Sequence, residues 1–250
     1  MRVVELASLA ILALAVALRR ERAKFLLDAA ALGAAAWIAE DLCIRLFGFY
    51  AYAPGWSLRL DRVPVMVAAI WPFVILSARD LARTPLAAGA LICFDAALVE
   101  PVAVRAGLWT WIEPGLFGVP LIGVAGWGVF GAISLALLGT GRRLLVVIAA
   151  PLLANVALVA LWWGAFRWGP RSELPAAAAI ALACAAAALL VARSRRALAP
   201  LDAMLPRGAA ALLFFSLAGV HGGPALWIFC APFAAPYLWM TGLDPARRRA

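Results

Sequence analysis

L-A-A-G-A-L-I-C-F-D-A-A-L-V-E-P-V-A-V-R-A-G-L-W-T-W, Leu86 to Trp111, is an apolar run that holds two acids, closes on an arginine and ends in Gly-x-Trp-x-Trp. A helix needs about 17–25 mostly apolar residues to cross a bilayer. This run is long enough, and its like recurs along the chain. Residues 3–18, 25–46, 62–78, 84–105, 118–140, 144–166, 174–192, 207–220 and 224–243 each read as a spanning helix. The eighth is short, so the count is nine, or eight if that run does not cross. The expected fold is an all-α, polytopic transmembrane helix bundle forming one integral membrane domain over 1–250.

Composition agrees. The chain is 66% hydrophobic and 14% charged, whereas soluble domains are about 45–50% apolar. The net charge of +9 does not point to nucleic acid, because one lysine and scattered arginines on an apolar background form no basic face interleaved with aromatics. The arginines mark loops instead. Fifteen of the twenty-two basic residues, in the loops with Arg19 to Lys24, Arg79 and Arg83, Arg142 and Arg143, Arg193 to Arg207 and the tail Arg247 to Arg249, fall on one side. The positive-inside rule makes that side cytoplasmic and puts the N-terminus outside, as expected of a bacterial inner-membrane protein. The first run has one basic residue before it and four after it, opposite to a cleavable signal, so it is expected to stay as an anchor.

Cys43, Cys93, Cys184 and Cys230 stand singly in apolar runs and read as small core residues, without zinc spacing. His221 is the single histidine and reads as a loop residue. No metal site and no cofactor are expected.

An internal repeat organises the first half. Glu40, then Arg45, G-F-Y-A-Y from Gly48, Val63-Pro64 and Trp71 match Glu100, then Arg105, G-L-W-T-W from Gly107, Val119-Pro120 and Trp127. Each tryptophan lies seven residues after its proline. A third copy keeps G-A-F-R-W from Gly164 and Pro175 but no acid, and position 182 is leucine. Three related helix pairs are expected, over about 25–78, 84–140 and 144–192.

Glu40 and Glu100 each lie five residues inside an arginine, roughly 7 Å along a helix, and so share a depth. Asp95 lies roughly 15 Å inside Arg105, near mid-membrane. Asp41 adjoins Glu40 but points about 100° away, so one of the two meets Arg45 or a neighbouring helix. Pro101 disturbs the helix beside Glu100. An ionisable group inside a bilayer costs at least about 2.5–3.5 kcal/mol, so Glu40, Asp41, Asp95 and Glu100 ask for a function. The plain alternative is structural: Arg45 and Arg105 are charge partners that simply neutralise Glu40 and Glu100. Asp28, Asp61, Asp80 and Asp202 read as solvated or interfacial charges.

Tyr50, Tyr52, Trp109, Trp111, Phe166 and Trp168 fall at the outer border, where amphipathic rings ordinarily form a belt. Trp71 and Trp127 sit about 10 Å into their helices, near the glutamates, and a belt does not account for them. Electron-rich ring faces attract positive charge. Acids beside indole faces, without a nucleophile–histidine pair or a phosphate loop, suit a carbocation formed on an apolar substrate.

These motifs carry a resemblance. F-G-x-Y-x-Y (Phe47 to Tyr52), V-P and Trp71, Asp95, Pro101, G-x-W-x-W, G-V-P-L (Gly118 to Leu121) and Gly126-Trp127 resemble the CruF-type membrane carotenoid 1',2'-hydratases over about residues 36–130. That carotenoid biosynthesis family is also similar to the membrane lycopene cyclases. The resemblance implies a cofactor-independent hydro-lyase that adds water to the terminal double bond of a carotenoid ψ-end. An acid among Glu40, Asp95 and Glu100 would protonate the alkene, and a second carboxylate would orient or deprotonate water. Tyr50, Trp71, Trp109 or Trp127 would shield the cation. The chain departs from the family pattern at Glu100, where aspartate is usual, and at Gly123, where asparagine commonly follows G-V-P-L. The implied partners are a carotenoid or other polyisoprenoid and membrane lipid, with no nucleic acid. Cyclisation of the same cation is the alternative within enzymes. A proton-coupled transporter, an isoprenoid-binding protein or a partner subunit is the alternative outside them.

Overall fold

In the computed structural model, residues 1–168 and 201–240 are described. The expected span 174–192, with Pro175, Leu182 and Cys184, lies outside them, as does the arginine tail. The described chain is helical, with eight α-helices: α1 (Arg2–Leu18), α2 (Arg22–Leu42), α3 (Val65–Leu81), α4 (Pro85–Arg105), α5 (Leu121–Leu138), α6 (Arg143–Gly164), α7 (Leu201–His221) and α8 (Gly223–Met240). Among them α4, α5, α6 and the Met204–His221 part of α7 are long and apolar enough to cross a membrane. Their length and composition mark a membrane protein.

Local chemistry sets the helix ends. Thr84 caps α4 by accepting from the Ala87 N–H, with Pro85 in its first turn. Pro64 and Pro120 stand just before α3 and α5, so these helices begin three residues later than the apolar runs suggest. Val63-Pro64 instead forms a short strand (β3) paired with Arg59–Leu60 (β2). After α2 the chain makes a π-helical turn, Cys43–Phe47, and leaves it through Gly48 at φ 60°. Gly107 does the same after α4 at φ 69°. An added Cβ at either glycine would touch nothing within 4 Å. It is the left-handed backbone that calls for glycine there. Gly164 has no such backbone and remains the last residue of α6. His221 ends α7 rather than lying in a loop.

The two glycine exits lead into Tyr50–Tyr52 (β1) and Trp109–Trp111 (β4). These strands pair antiparallel, with Tyr50 opposite Trp111 and Tyr52 opposite Trp109. Residues two apart in a strand share a face. All four aromatics therefore point one way, into the bundle, while Ala51 and Thr110 are exposed on the other face. The ribbon roofs the helices, and Val4, Trp56, Leu108 and Trp109 seal it from the side. Beneath it α4 and α5 come unusually close. A Cβ on Gly128 would lie 2.7 Å from the Gly89 carbonyl oxygen, the small-residue contact by which membrane helices pack.

At the opposite end the arginine loops gather. Arg143 pairs with Asp28 at 2.7 Å, Arg79 lies 3.8 Å from the same carboxylate, and Arg19 pairs with Asp80. Asp28 and Asp80, read from the sequence as solvated or interfacial charges, are thus ion-paired between helices, and Asp28 is buried rather than solvated. Arginines at the ends of α1, α3 and α6, which meet at one end, give these acids partners they would otherwise find in water.

Candidate active site

Both glutamates end in the same wiring. Glu40, near the end of α2, accepts hydrogen bonds from the hydroxyls of Tyr50 and Tyr52 at Oε2, and from Trp71 Nε1 at Oε1 at 2.8 Å. The Tyr52 bond is 2.8 Å long. Glu100, near the end of α4, accepts from Trp109 and Trp111 Nε1 at Oε2, at 2.9 and 3.0 Å, and from Trp127 Nε1 at Oε1, at 2.8 Å. In each case the two donors on one oxygen come from the ribbon, and the third comes from two turns into the following helix.

The rings also touch across the two sets. Trp71 and Trp127 have centroids 4.6 Å apart, and Tyr50 and Trp111 4.8 Å apart. A hydrogen bond to a charged group contributes about 1.5–3 kcal/mol, so three donors offset the insertion cost of a carboxylate without a cation. This corrects the ion-pair expectation. Arg45 pairs with Asp41, at 2.6 Å, and with Asp61. Glu100 has three indoles for partners and not Arg105. Sequence spacing put the arginines one turn too far along for the glutamates, whereas i to i+4 aligns Arg45 with Asp41.

Glu40, Glu100, Tyr50, Tyr52, Trp71, Trp109, Trp111 and Trp127 line one cavity of about 210 Å³, whose walls come from α1 to α8 and the ribbon. Its walls are otherwise mostly apolar, and Phe130 and Phe214 lie along them. Asp41 is not part of that lining. Asp95 is, but it is engaged: Arg207 donates to its Oδ2, and Tyr237 donates to its Oδ1 at 2.8 Å. Arg207 also donates to Ser77 Oγ at 2.7 Å. The expected loop position of Arg207 is therefore wrong, since it lies inside α7 and is buried as the counter-ion of Asp95. Asp95→Leu is expected to destabilise the protein by about 3–5 kcal/mol by leaving that guanidinium unpaired. Thermal unfolding in detergent measures this, and Asp95→Leu combined with Arg207→Met is expected to recover most of the loss.

Gly123 has a steric role. A Cβ there would lie 2.6 Å from Trp111 Cζ2, so the indole that reaches Glu100 occupies the space a side chain would take. Gly123→Ala is expected to cost about 1–3 kcal/mol through overpacking. Trp111→Phe in the same chain is expected to relieve part of it, a coupling that a double-mutant cycle reads directly.

Sequence reasoning missed two parts of this cavity. One is the Arg207–Asp95–Tyr237–Ser77 cluster, whose partners lie far apart in the chain. The other is Asn155 on α6, the single side-chain amide among 250 residues, since the chain has no glutamine and no other asparagine. That solitary amide inside an apolar run was a signal available in the sequence.

Fold and site together define a membrane protein with a mostly apolar cavity in which two carboxyls are held by aromatic donors. The chain belongs to the carotenoid biosynthesis protein family, whose model matches residues 1–192. No curated protein and no solved structure compared with the chain gives a match. Family and helices together assign it a carotenoid-related function in a membrane.

Proposed function

We propose that this protein is a carotenoid 1',2'-hydratase, adding water to the terminal double bond of an acyclic ψ-end through a tertiary carbocation. The observation that carries the reading is the pair of aromatic-bound carboxyls in one apolar cavity. An alkene is a poor base, so its protonation needs an acid kept away from water and a neighbour that stabilises the cation formed. Both are at hand. An indole N–H only donates, whereas a phenol also accepts. The three indoles on Glu100 therefore suit a carboxylate, and the two phenols on Glu40 suit either form. Oε2 of Glu40 already holds two donors, which leaves Oε1 to carry a proton.

In this mechanism the π electrons take the proton from Glu40 Oε1, and the terminal carbon becomes a tertiary cation. The Glu100 carboxylate and the faces of Trp71 and Trp127 stabilise it. Water attacks the cation, forming the C–O bond, and its surplus proton passes to the Glu40 carboxylate. Glu40 is thereby restored, and one water has been added with no change of oxidation state and no cofactor. Asp95 serves the structure in this account, so the Asp95→Leu, Arg207→Met double variant is expected to keep product formation.

The parallel wiring of Glu40 and Glu100 supports a repeat relation between 25–78 and 84–140; the third unit over 144–192 is proposed on its sequence pattern alone. Arg19, Arg79 and Arg143, gathered at one end, support a cytoplasmic face there and an N-terminus outside; nine spans in a bacterial inner membrane are part of the same proposal. The test of function is the pigment of a lycopene-producing bacterial host that carries the chain. A product heavier by one water, with an unshortened chromophore, is expected. One observation favours a second reading, ring closure: position 123 offers no polar group for water, and Trp111 fills the space. Unchanged mass with a blue-shifted spectrum would be its result.

A further inference from the structure

Asn155 lies on α6 and is 7% exposed, with its side chain on the cavity lining. Its Nδ2 donates to the Pro151 carbonyl at 3.0 Å and to the Ala39 carbonyl at 3.3 Å, next to Glu40 in the chain. Both amide protons are spent on carbonyls, and a carbonyl cannot donate, so these bonds fix which way the amide faces. Oδ1 is left as a buried acceptor with no hydrogen-bond partner among the described residues. Such a group is costly to bury unless something donates to it. Here the wall is otherwise mostly apolar, and of the acids on α2 Glu40, the residue after Ala39, lines the same cavity whereas Asp41 does not.

We infer that Asn155 is the positioning residue for the attacking water, holding it by a hydrogen bond to Oδ1 beside Glu40. This deepens the hydratase reading and rests on it. Water held there donates one hydrogen to Oδ1 and keeps an oxygen lone pair for the cation. As the C–O bond forms, the second hydrogen leaves as a proton to the Glu40 carboxylate. The amide thus decides between two fates of one cation. With water held in place the cation is hydrated; without it the cation loses a proton and returns to an alkene.

The test follows lycopene in membranes suspended in heavy water, comparing the wild-type chain with Asn155→Leu, Asn155→Ser and Glu40→Gln. Wild type is expected to give the water-added product carrying deuterium. Asn155→Leu is expected to lose at least tenfold of that product while deuterium still enters the recovered lycopene, because protonation continues. Asn155→Ser, which keeps a small acceptor, is expected to restore part of the hydration. Glu40→Gln is expected to lose both signals. Hydration by Asn155→Leu at the wild-type rate would overturn the role of Asn155 and leave the hydratase reading standing. Loss of deuterium entry together with hydration in Asn155→Leu would overturn it too, as a structural effect. A wild-type chain that yields neither product nor deuterium would overturn the hydratase reading and this inference with it.

Discussion

Membranes carrying Glu40→Gln are expected to form the water-added product at least about 100-fold more slowly than wild type, the usual effect of removing a general acid. Glutamine keeps the length and volume of the side chain. Its carbonyl oxygen can still accept from Trp71, and the phenols of Tyr50 and Tyr52, which now donate to the carboxyl, can turn to accept from the new NH₂ group. The substitution therefore removes the transferable proton while leaving the site's shape and hydrogen bonds nearly intact. Product formation at the wild-type rate would show that the proton comes from elsewhere.

The second large effect is expected at Glu100. Glu100→Gln removes the negative charge beside the cation and is expected to lower turnover by about 100- to 1000-fold, as when one preorganised electrostatic partner is lost. Its three donors are all indoles. None can turn to accept, so one indole N–H faces an NH₂ group and stability falls by about 1–3 kcal/mol as well. Glu100→Asp separates the two effects, because it keeps the charge. It is expected to recover part of the turnover, and equal losses in both variants would argue that Glu100 is needed only for shape.

The repeat that pairs Glu40 with Glu100 was readable because its parts sit at fixed spacings: acid, glycine, alternating aromatics, proline, tryptophan. Trp71 and Trp127 were placed beside the acids by helix rise alone. The ribbon was not foreseen. Alternate aromatics at a helix end read equally as an interfacial belt, and only pairing between residues 50–52 and 109–111, nearly sixty positions apart, turns all four rings inward. Charge partners misled for a related reason. Sequence spacing offers the nearest arginine, while Glu40 and Glu100 take neutral N–H and O–H donors, and the cations serve Asp41, Asp28, Asp80 and Asp95. Arg207 looked like a loop charge because its counter-ion lies 112 positions away on α4.

The two catalytic predictions and the behaviour of Asn155 depend on one claim, that a cation formed beside Glu40 and Glu100 is captured by water. The direct measurement is mass spectrometry of lycopene incubated with membranes of the wild-type chain in oxygen-18 water. A product heavier by one labelled water is expected, with the heavy oxygen on the tertiary carbon of the ψ-end and the polyene chromophore unchanged. A product of unchanged mass carrying a new ring would contradict that claim.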